Sequence, residues 1–337
     1  MEISIKKRAM LFSGTSNPEL ANEIAAHLGM KLGEVEIERF ASSEIYVRFQ
    51  ESVRGSDCFV IQSHSAPADE MIMEQLVMID ALKRASAKRI NAVIPYYGYS
   101  RQDRKTLARE PISARLIADL ISVAGADRVL SVDLHTGQIQ GFFDCPVDHL
   151  TALPILAQYV AEKYPENLAV VAPDAGRARL ATKYAHHLHA PIAVMHKTRR
   201  ADVRNVSESM GLIGDVEGKL CLIVEDMIDT GSSLVGAVDQ LMNRGAEGVI
   251  AAATHGIFSE PAAQRISGSP IRELIVTNTL SVPPDMEKVT VLSIASIIAA
   301  SIKAVFEDES VSEIFQGEHL EAIPAERQIM GYEDDEA

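Results

Sequence analysis

Short apolar runs alternate with helical patterns along almost the whole chain, and this alternation restricts the fold more than any other feature. In the first half, RAMLF precedes PELANEIAAHL, DCFVIQ precedes MIMEQLVMIDALKRA, and INAVIPY precedes ISARLIADLISVAG. LAVVAP, PIAVMHK, LCLIVED and VIAAATHG continue the pattern in the second half. Such runs are typical of parallel βαβ units, so the sequence predicts an α/β fold with mostly parallel sheets flanked by helices.

Two α/β domains are predicted, covering residues 1–150 and 151–316, with an acidic tail at residues 317–337. No Pro-, Gly- or Ser-rich linker marks the boundary, so we expect the domains to pack closely. GEVEIERF and EIYVRFQES alternate with period two and are joined by ASS, which predicts a small antiparallel flap. Asn17 and Pro18 are interpreted as the cap and first residue of a helix.

Composition excludes several classes of protein. The chain has 337 residues, of which 47% are hydrophobic and 23% charged, as in soluble globular domains. Its net charge of −15 argues against nonspecific binding to nucleic acid or anionic membranes, although a local basic cluster can still hold a small anion. The uncharged segment from Val289 to Ile302 is too short to span a bilayer and is interpreted as a buried strand followed by a helix. Three widely spaced cysteines and the lack of a signal-like N-terminus predict a reduced, cytoplasmic protein.

The stretch LIVEDMIDTGSSLV, residues 222–235, is the first candidate site. It has a strand pattern up to Glu225 and a helix pattern from about Ser232. A helix start preceded by Thr-Gly-Ser-Ser offers unpaired N–H groups, hydroxyls and the positive end of the helix dipole, which suit a phosphate. The carboxylates of Glu225, Asp226 and Asp229 suit sugar hydroxyls or Mg²⁺. The alternative is an ordinary capped helix beside solvated acids.

Polar loops also follow three other predicted strands, at the edge where α/β sheets bind ligands. The first is YGYSRQDRK, where Arg101, Arg104 and Lys105 could hold a polyphosphate and Asp103 could orient an arginine or a ligand amine. Any one of these loops alone could be a solvated charged surface.

The other two loops are LHTGQ and AGRAR, and they place His135 and Asp174 where the two side chains could share a hydrated Mg²⁺. Because magnesium prefers oxygen ligands, His135 could instead contact a phosphate or a metal-bound water.

A basic segment, HKTRRADVRN, follows the predicted strand PIAVM and contains Lys197, Arg199 and Arg200. It is interpreted as a lid over a charged transition state, with an exposed basic loop as the alternative. The sequence contains neither the phosphate-binding pattern G-x-x-x-x-G-K-[ST] nor G-x-G-x-x-G in a dinucleotide-binding setting. Spacing typical of a serine triad or a metallohydrolase is also lacking.

Taken together, PYYGYSRQDRK, SVDLHTGQIQGFFD, VAPDAGRAR, HKTRR and VEDMIDTGSS resemble the class I ribose-phosphate pyrophosphokinase family, from about Met10 to Phe315. The resemblance implies two similar phosphoribosyltransferase-like domains, homohexamers and transfer of the diphosphoryl group of MgATP to the C1 hydroxyl of ribose 5-phosphate. The products are phosphoribosyl pyrophosphate and AMP, for nucleotide biosynthesis.

The resemblance also implies a role for each candidate residue. Ribose 5-phosphate is held by Asp226, Asp229, Thr230, Gly231, Ser232 and Ser233. ATP is contacted by Phe40, Ser42, Glu44, Arg101, Gln102, Asp103 and Arg104. His135 and Asp174 organise Mg²⁺, and Lys197 and Arg199 stabilise the diphosphoryl group in flight.

Three segments depart from the family pattern. The flap reads Phe-Ala-Ser-Ser-Glu, with Ser42 and Ser43 where the family has an acid or amide and a glycine. Glu225 replaces the first of two aspartates, and Ser232 replaces a glycine in the phosphate turn. A noncatalytic regulatory associate of an active synthetase and a phosphoribosyltransferase are the alternative functions. The second explains VEDMIDTGSS but not SRQDRK.

Overall fold

A computed structural model of the chain describes residues 7–198, 209–284 and 286–311. The described part of the first half contains a five-stranded parallel sheet in the order β1-β4-β5-β6-β7. These are β1 Ala9–Ser13, β4 Asp57–Ile61, β5 Arg89–Ile94, β6 Arg128–Val132 and β7 Val147–Leu150. Its helices are α1 Pro18–His27, α2 Ala68–Arg84 and α3 Ser113–Ala124, and a short 3-10 helix covers Gly137–Phe142.

The described part of the second half contains a seven-stranded sheet in the order β10-β9-β8-β11-β12-β13-β14, parallel except for β10. Its strands are β8 Leu168–Ala172, β9 Ile192–Thr198, β10 Ser209–Ile213, β11 Leu220–Ile228, β12 Gly248–Gly256, β13 Glu273–Thr277 and β14 Val289–Leu292. The helices are α4 Leu153–Lys163, α5 Ala178–Leu188, α6 Ser232–Asn243, α7 Ala262–Gly268 and α8 Ala295–Glu307, with a 3-10 turn at Ala175–Arg177.

This architecture confirms the predicted α/β class with mostly parallel sheets. Every residue of β4 and β8 is buried, as expected for strands covered by helices on both faces. One apolar cluster contains Leu11 and Leu20 from the first half together with Leu222 and Ile298 from the second. The two halves therefore share a core, in agreement with the close packing that the sequence predicted. The domain limits at residues 150 and 316 stay a prediction.

The flap is the predicted antiparallel hairpin, formed by β2 Val35–Arg39 and β3 Ile45–Phe49. Its five-residue turn is closed by the amide of Phe40, which donates to Glu44 O at 2.9 Å, and by the amide of Ser43, which donates to Phe40 O at 2.8 Å. Ser43 lies at φ 73°, in the left-handed region that favours glycine.

Other boundaries bear out or correct the sequence interpretation. Asn17 caps α1, accepting a hydrogen bond from the Leu20 amide at 3.2 Å. The strand predicted to end at Glu225 continues to Ile228, so Asp226, which was predicted to follow the strand, lies within β11. The segment from Val289 does form a strand and then a helix, but β14 is an edge strand that is only partly buried. None of the helices built from the described residues combines the length and apolar character needed to cross a bilayer.

Candidate active site

The loops that follow β5, β6, β8 and β11 meet between the two halves of the chain. Arg101 Nη1, after β5, lies 2.8 Å from Asp229 Oδ2, after β11. His135 Nδ1, after β6, lies 2.6 Å from Asp226 Oδ2. The structure therefore brings together residues that the sequence assigned to nucleotide, metal and sugar binding.

Arg177 holds the two adjacent acids of β11. Its Nε lies 3.0 Å from Glu225 Oε2, and its Nη2 lies 2.6 Å from Asp226 Oδ1. All three side chains are largely buried. The sequence interpretation gave Arg177 no specific role, although it follows β8 in one of the four polar loops. Its pairing with the acids depends on how β8 and β11 lie side by side, which the sequence pattern does not show.

The two adjacent acids differ in their ionisation. Burial raises the pKa of Glu225 to about 7, and the charge of Arg177 only partly offsets this. For Asp226, burial also raises the pKa, but the hydrogen bond from His135 and the charge of Arg177 outweigh it and lower the pKa below its ordinary value. Asp226 is therefore the permanently charged carboxylate of the pair at neutral pH.

The contact with Asp226 also fixes the tautomer of His135. Nδ1 has two polar neighbours, Asp226 Oδ2 at 2.6 Å and Arg177 Nη2 at 3.3 Å; the carboxylate is much the nearer and only accepts hydrogen bonds, so Nδ1 carries a proton and donates to it. When the ring is neutral, its acceptor is Nε2, which points away from Asp226. His135 lines a cavity of about 200 Å³. The other residues around this cavity include Asp133, Gln138, Arg177, Arg179, Lys183, Glu225 and Asp226.

The turn before α6 has the geometry that the sequence predicted for binding a phosphate. Gly231 precedes the helix in the left-handed region, at φ 71°. Ser232 and Ser233 are exposed in the first turn. Among the described residues no side chain caps α6, so the amides of its first turn are available to an anion. Thr230 O accepts a hydrogen bond from Arg265 Nη1 at 3.1 Å, which holds the turn against α7.

A second cavity, of about 470 Å³, lies beside Arg101 and Gln102. It is lined by Ser16, His64, Ser65, Tyr96, Gly98, Tyr99, Ser100, Arg101, Gln102, Ile257, Leu280 and Ser281, among others. The Gln102 side chain accepts from Ser113 Oγ at 2.7 Å, which ties this loop to the start of α3. Residues from both halves form the walls, so this cavity also depends on how the halves dock.

Two other candidates of the same loop have different surroundings. Asp103 is buried and accepts from Thr136 Oγ1 at 2.7 Å and from Gln138 Nε2 at 3.3 Å. It therefore ties its own loop to the loop that carries His135. Arg104 is exposed.

The flap candidates Phe40, Ser42 and Glu44 are exposed at the tip of the β2–β3 hairpin, and 57% of the Phe40 surface is accessible. Ser42 Oγ donates to Glu44 Oε2 at 2.5 Å. Next to the turn, Arg39 at the end of β2 pairs with Glu70 of α2 at 2.7 Å. The flap thus rests on α2 while its tip faces outward.

The metal candidates lie on neighbouring loops. Asp174 is exposed, and its Oδ1 accepts from the Arg177 amide at 3.1 Å. In the part of the chain that the structure describes, no group of three or more His, Cys, Asp or Glu side chains forms a ready cation cage. An exposed carboxylate and an imidazole nitrogen do fit Mg²⁺ that keeps water and substrate oxygens as most of its ligands.

Of the two catalytic candidates, one belongs to β9. Lys197 belongs to this strand, but its side chain is outside the described part of the structure. Arg199 lies outside the described residues altogether.

Comparison with known protein families gives two matches along the chain. Residues 9–125 match the N-terminal domain of ribose phosphate pyrophosphokinase, and residues 201–316 match the phosphoribosyl synthetase-associated domain.

Individual relatives match over almost their full length. The chain is 56% identical to a ribose-phosphate pyrophosphokinase of Streptomyces avermitilis, with 92% of this chain and 97% of the relative covered. It is 53% identical to one of Mycobacterium tuberculosis, with 93% and 97% covered. Its structure is similar to the crystal structure of phosphoribosylpyrophosphate synthetase from Mycobacterium smegmatis, with a TM-score of 0.85 and 53% identity over 90% of this chain and 100% of that one.

Proposed function

The chain belongs to the ribose-phosphate pyrophosphokinase family, and we propose that it transfers the diphosphoryl group of ATP to ribose 5-phosphate. In this reaction the C1 hydroxyl oxygen attacks the β-phosphorus and loses its proton, and the bond from that phosphorus to the α–β bridging oxygen breaks. The products are phosphoribosyl pyrophosphate and AMP. The ion pair between Arg101 and Asp229, at 2.8 Å, carries the proposal because it joins the proposed nucleotide loop to the proposed sugar loop.

Ribose 5-phosphate would bind along the end of β11 and the start of α6. Asp226 and Asp229 accept hydrogen bonds from the ribose hydroxyls, and both carboxyls have a lowered pKa, which suits acceptors that must stay charged. The residues from Thr230 to Ser233 receive the phosphate, through first-turn amides and hydroxyls at the positive end of α6.

ATP would occupy the cavity beside Arg101 and Gln102, with Arg104 and the flap residues Phe40, Ser42 and Glu44 contributing from outside it. Arg guanidinium groups match phosphate oxygens in two-point contacts. Asp103 supports this site indirectly, because its hydrogen bonds hold the nucleotide loop against the loop that carries His135.

Asp174 and Nε2 of His135 would hold Mg²⁺, which neutralises charge on the transferred diphosphoryl group. Lys197 of β9 and Arg199, two residues later in the sequence, would stabilise the same charge. Positioning and electrostatics dominate such transfers, so several cations around one anionic group fit this chemistry.

A homo-oligomer is part of the proposal, with a hexamer as the form implied by family resemblance. Ile112 and the α3 residues Leu116, Leu120 and Val123 form an exposed apolar stripe, and 76% of the Val123 surface is accessible. Such a stripe is typical of a surface that another subunit covers. Three free cysteines, two of them buried, support a cytoplasmic location.

One incubation tests this function. Purified protein is given MgATP and ribose 5-phosphate, and both AMP and phosphoribosyl pyrophosphate are measured, with controls that omit the sugar phosphate or chelate the magnesium. We expect equal amounts of the two products in the complete mixture only. Neither product in any mixture would favour a noncatalytic associate, and AMP formed without the sugar phosphate would indicate a different enzyme.

A further inference from the structure

A buried polar cluster joins the carboxyl ends of β6 and β12, behind the candidate active site. Thr254 Oγ1 of β12 donates to Asp133 Oδ2 at 2.6 Å. His255 Nε2, also of β12, lies 3.1 Å from Val132 O and 3.2 Å from Asp133 O. These side chains are at most 8% exposed, and their contacts link the first sheet directly to the second.

The contacts of the His255 ring show which of its two nitrogens carries a proton. Both neighbours of Nε2 are carbonyl oxygens, which only accept, so Nε2 carries a proton. Nδ1 lies 2.9 Å from Thr279 Oγ1, whose hydroxyl can donate to it. Burial lowers the pKa of His255, although the charges of Asp133 and Asp226 oppose this, and the ring is neutral with one donor and one acceptor. Tyr96 packs against the ring edge at a centroid distance of 5.0 Å.

The residue that His255 holds has a conformation that needs support. Asp133 lies at φ 38°, which is unusual for a residue with a side chain. Its carboxylate accepts from the Ala152 amide at 2.9 Å as well as from Thr254, and its amide donates to Leu150 O at 2.9 Å. This conformation turns the chain after β6 so that His135, two residues later, reaches Asp226.

His255 is also close to Asp226 through the pairing of β12 with β11. His255 lies opposite Met227 in the parallel register of β11 and β12, so Asp226 is next to it along the neighbouring strand. A shift of the β6 end relative to β12 would therefore change the distance between His135 and Asp226 directly.

We propose that His255 is a positioning residue of the site: its Nε2–H clamps the end of β6 onto β12 and thereby keeps His135 in contact with Asp226. The expected effects on kcat rest on the proposed function. The expected effect on the contact between His135 and Asp226 does not. His255 itself contacts no reacting group.

Two substitutions separate the clamp from mere packing. In His255→Gln the amide nitrogen can reach the position of Nε2 and still donate to the two carbonyls. In His255→Asn the amide group reaches only the position of Nδ1, so the contact with Thr279 can persist while the clamp is lost. We expect His255→Asn to lower kcat at least tenfold and His255→Gln to lower it less than threefold.

The same change in a His135→Ala background tests whether the effect passes through His135. We expect His255→Asn to change kcat less than twofold there, because residues that act as a unit are not additive. A full tenfold loss in that background would overturn the proposal. Equal kcat for the Asn, Gln and wild-type proteins would also overturn it, even if the Asn variant melts at a lower temperature.

A crystallographic readout keeps this test separate from the test of the reaction. Structures of the wild type and of His255→Asn, both without substrates, report the distance from His135 Nδ1 to Asp226 Oδ2. We expect the contact, 2.6 Å here, to persist in the wild type and to be lost in the variant. An unchanged distance in the variant would refute the clamp whether or not the protein makes phosphoribosyl pyrophosphate.

Discussion

Replacing Glu273 with glutamine should destabilise the second half of the chain in a pH-dependent way. Glu273 begins β13 and is 6% exposed. Its carboxylate accepts from Tyr159 Oη at 2.8 Å, Lys163 Nζ at 2.8 Å and Tyr164 Oη at 2.6 Å, all near the end of α4, and also from Thr290 Oγ1 of β14. One charged group thus fastens a helix and two strands.

The size of the effect follows from the ionisation of this group. Burial raises the pKa of Glu273, but the four hydrogen bonds outweigh it and lower the pKa to about 2, from an ordinary value of 4.5. A difference of this size corresponds to about 3 kcal/mol. Because the side chain of Lys163 is 47% exposed and water screens its charge, we expect about 2 kcal/mol.

The sign of the pH dependence is fixed. The folded pKa lies below the unfolded one, so the stabilisation is fully present above about pH 4.5 and is lost as the pH falls towards 2. Urea unfolding of wild type and Glu273→Gln across this range should give the full difference at pH 7 and a shrinking one below pH 4.5. Asp80→Asn, which removes the exposed pair of Asp80 and Arg84, is the control and should keep the wild-type midpoint. Equal stability of wild type and Glu273→Gln at pH 7, or a gap that persists in acid, would refute the reasoning.

Three further predictions concern the reaction. Lys197→Ala should lower kcat roughly 10²-fold or more with smaller effects on either KM, since a cation aimed at developing charge acts mainly in the transition state; an unchanged kcat would remove it from the mechanism. Asp229→Ala should weaken ribose 5-phosphate binding by roughly 1–3 kcal/mol in calorimetry, because it leaves polar partners unpaired; a rise in the ATP KM alone would contradict the sugar assignment. Ser42→Asp combined with Ser43→Gly should lower the ATP KM and raise the preference for ATP over GTP, because Gly relieves the φ of 73° at Ser43 and Asp restores a charged acceptor. Kinetics that stay at wild-type values would show that these serines carry no functional meaning.

The fold was largely predictable because most of its strands are short apolar runs that alternate with helical patterns. The exceptions have physical reasons. β7 reads VDHL and has no apolar run, yet it pairs with β6 along its whole length. The end of β11 was placed too early because Asp226, directly after Glu225, looks like a loop residue. The strand continues through Asp226 to Ile228, and Arg177, from the loop after β8, pairs with both carboxylates there.

The candidate site was predictable as a set of loops but not as a set of contacts. Ligand-binding edges of parallel sheets follow from topology, so the loops after β5, β6, β8 and β11 could be grouped in advance. The pairing of His135 with Asp226 requires the two halves to dock, and that docking depends on buried contacts such as those of His255. A buried histidine at the end of an apolar strand has no distinctive pattern in the sequence.

The local charges explain how a chain with a net charge of −15 can be proposed to bind two polyanionic substrates. Each acid of the candidate site already has a cationic or hydrogen-bonding partner: Arg101 for Asp229, and Arg177 and His135 for Asp226. Repulsion between these acids and a substrate phosphate is therefore weaker than the net charge of the chain suggests, because the partners of the acids offset their negative charge. In the proposed reaction, ribose hydroxyls that bind Asp229 would loosen its hold on Arg101 and leave that guanidinium to the phosphates of ATP. Before substrates bind, the ion pair between the two halves thus neutralises Asp229. After they bind, it frees the positive charge of Arg101 for the phosphates of ATP.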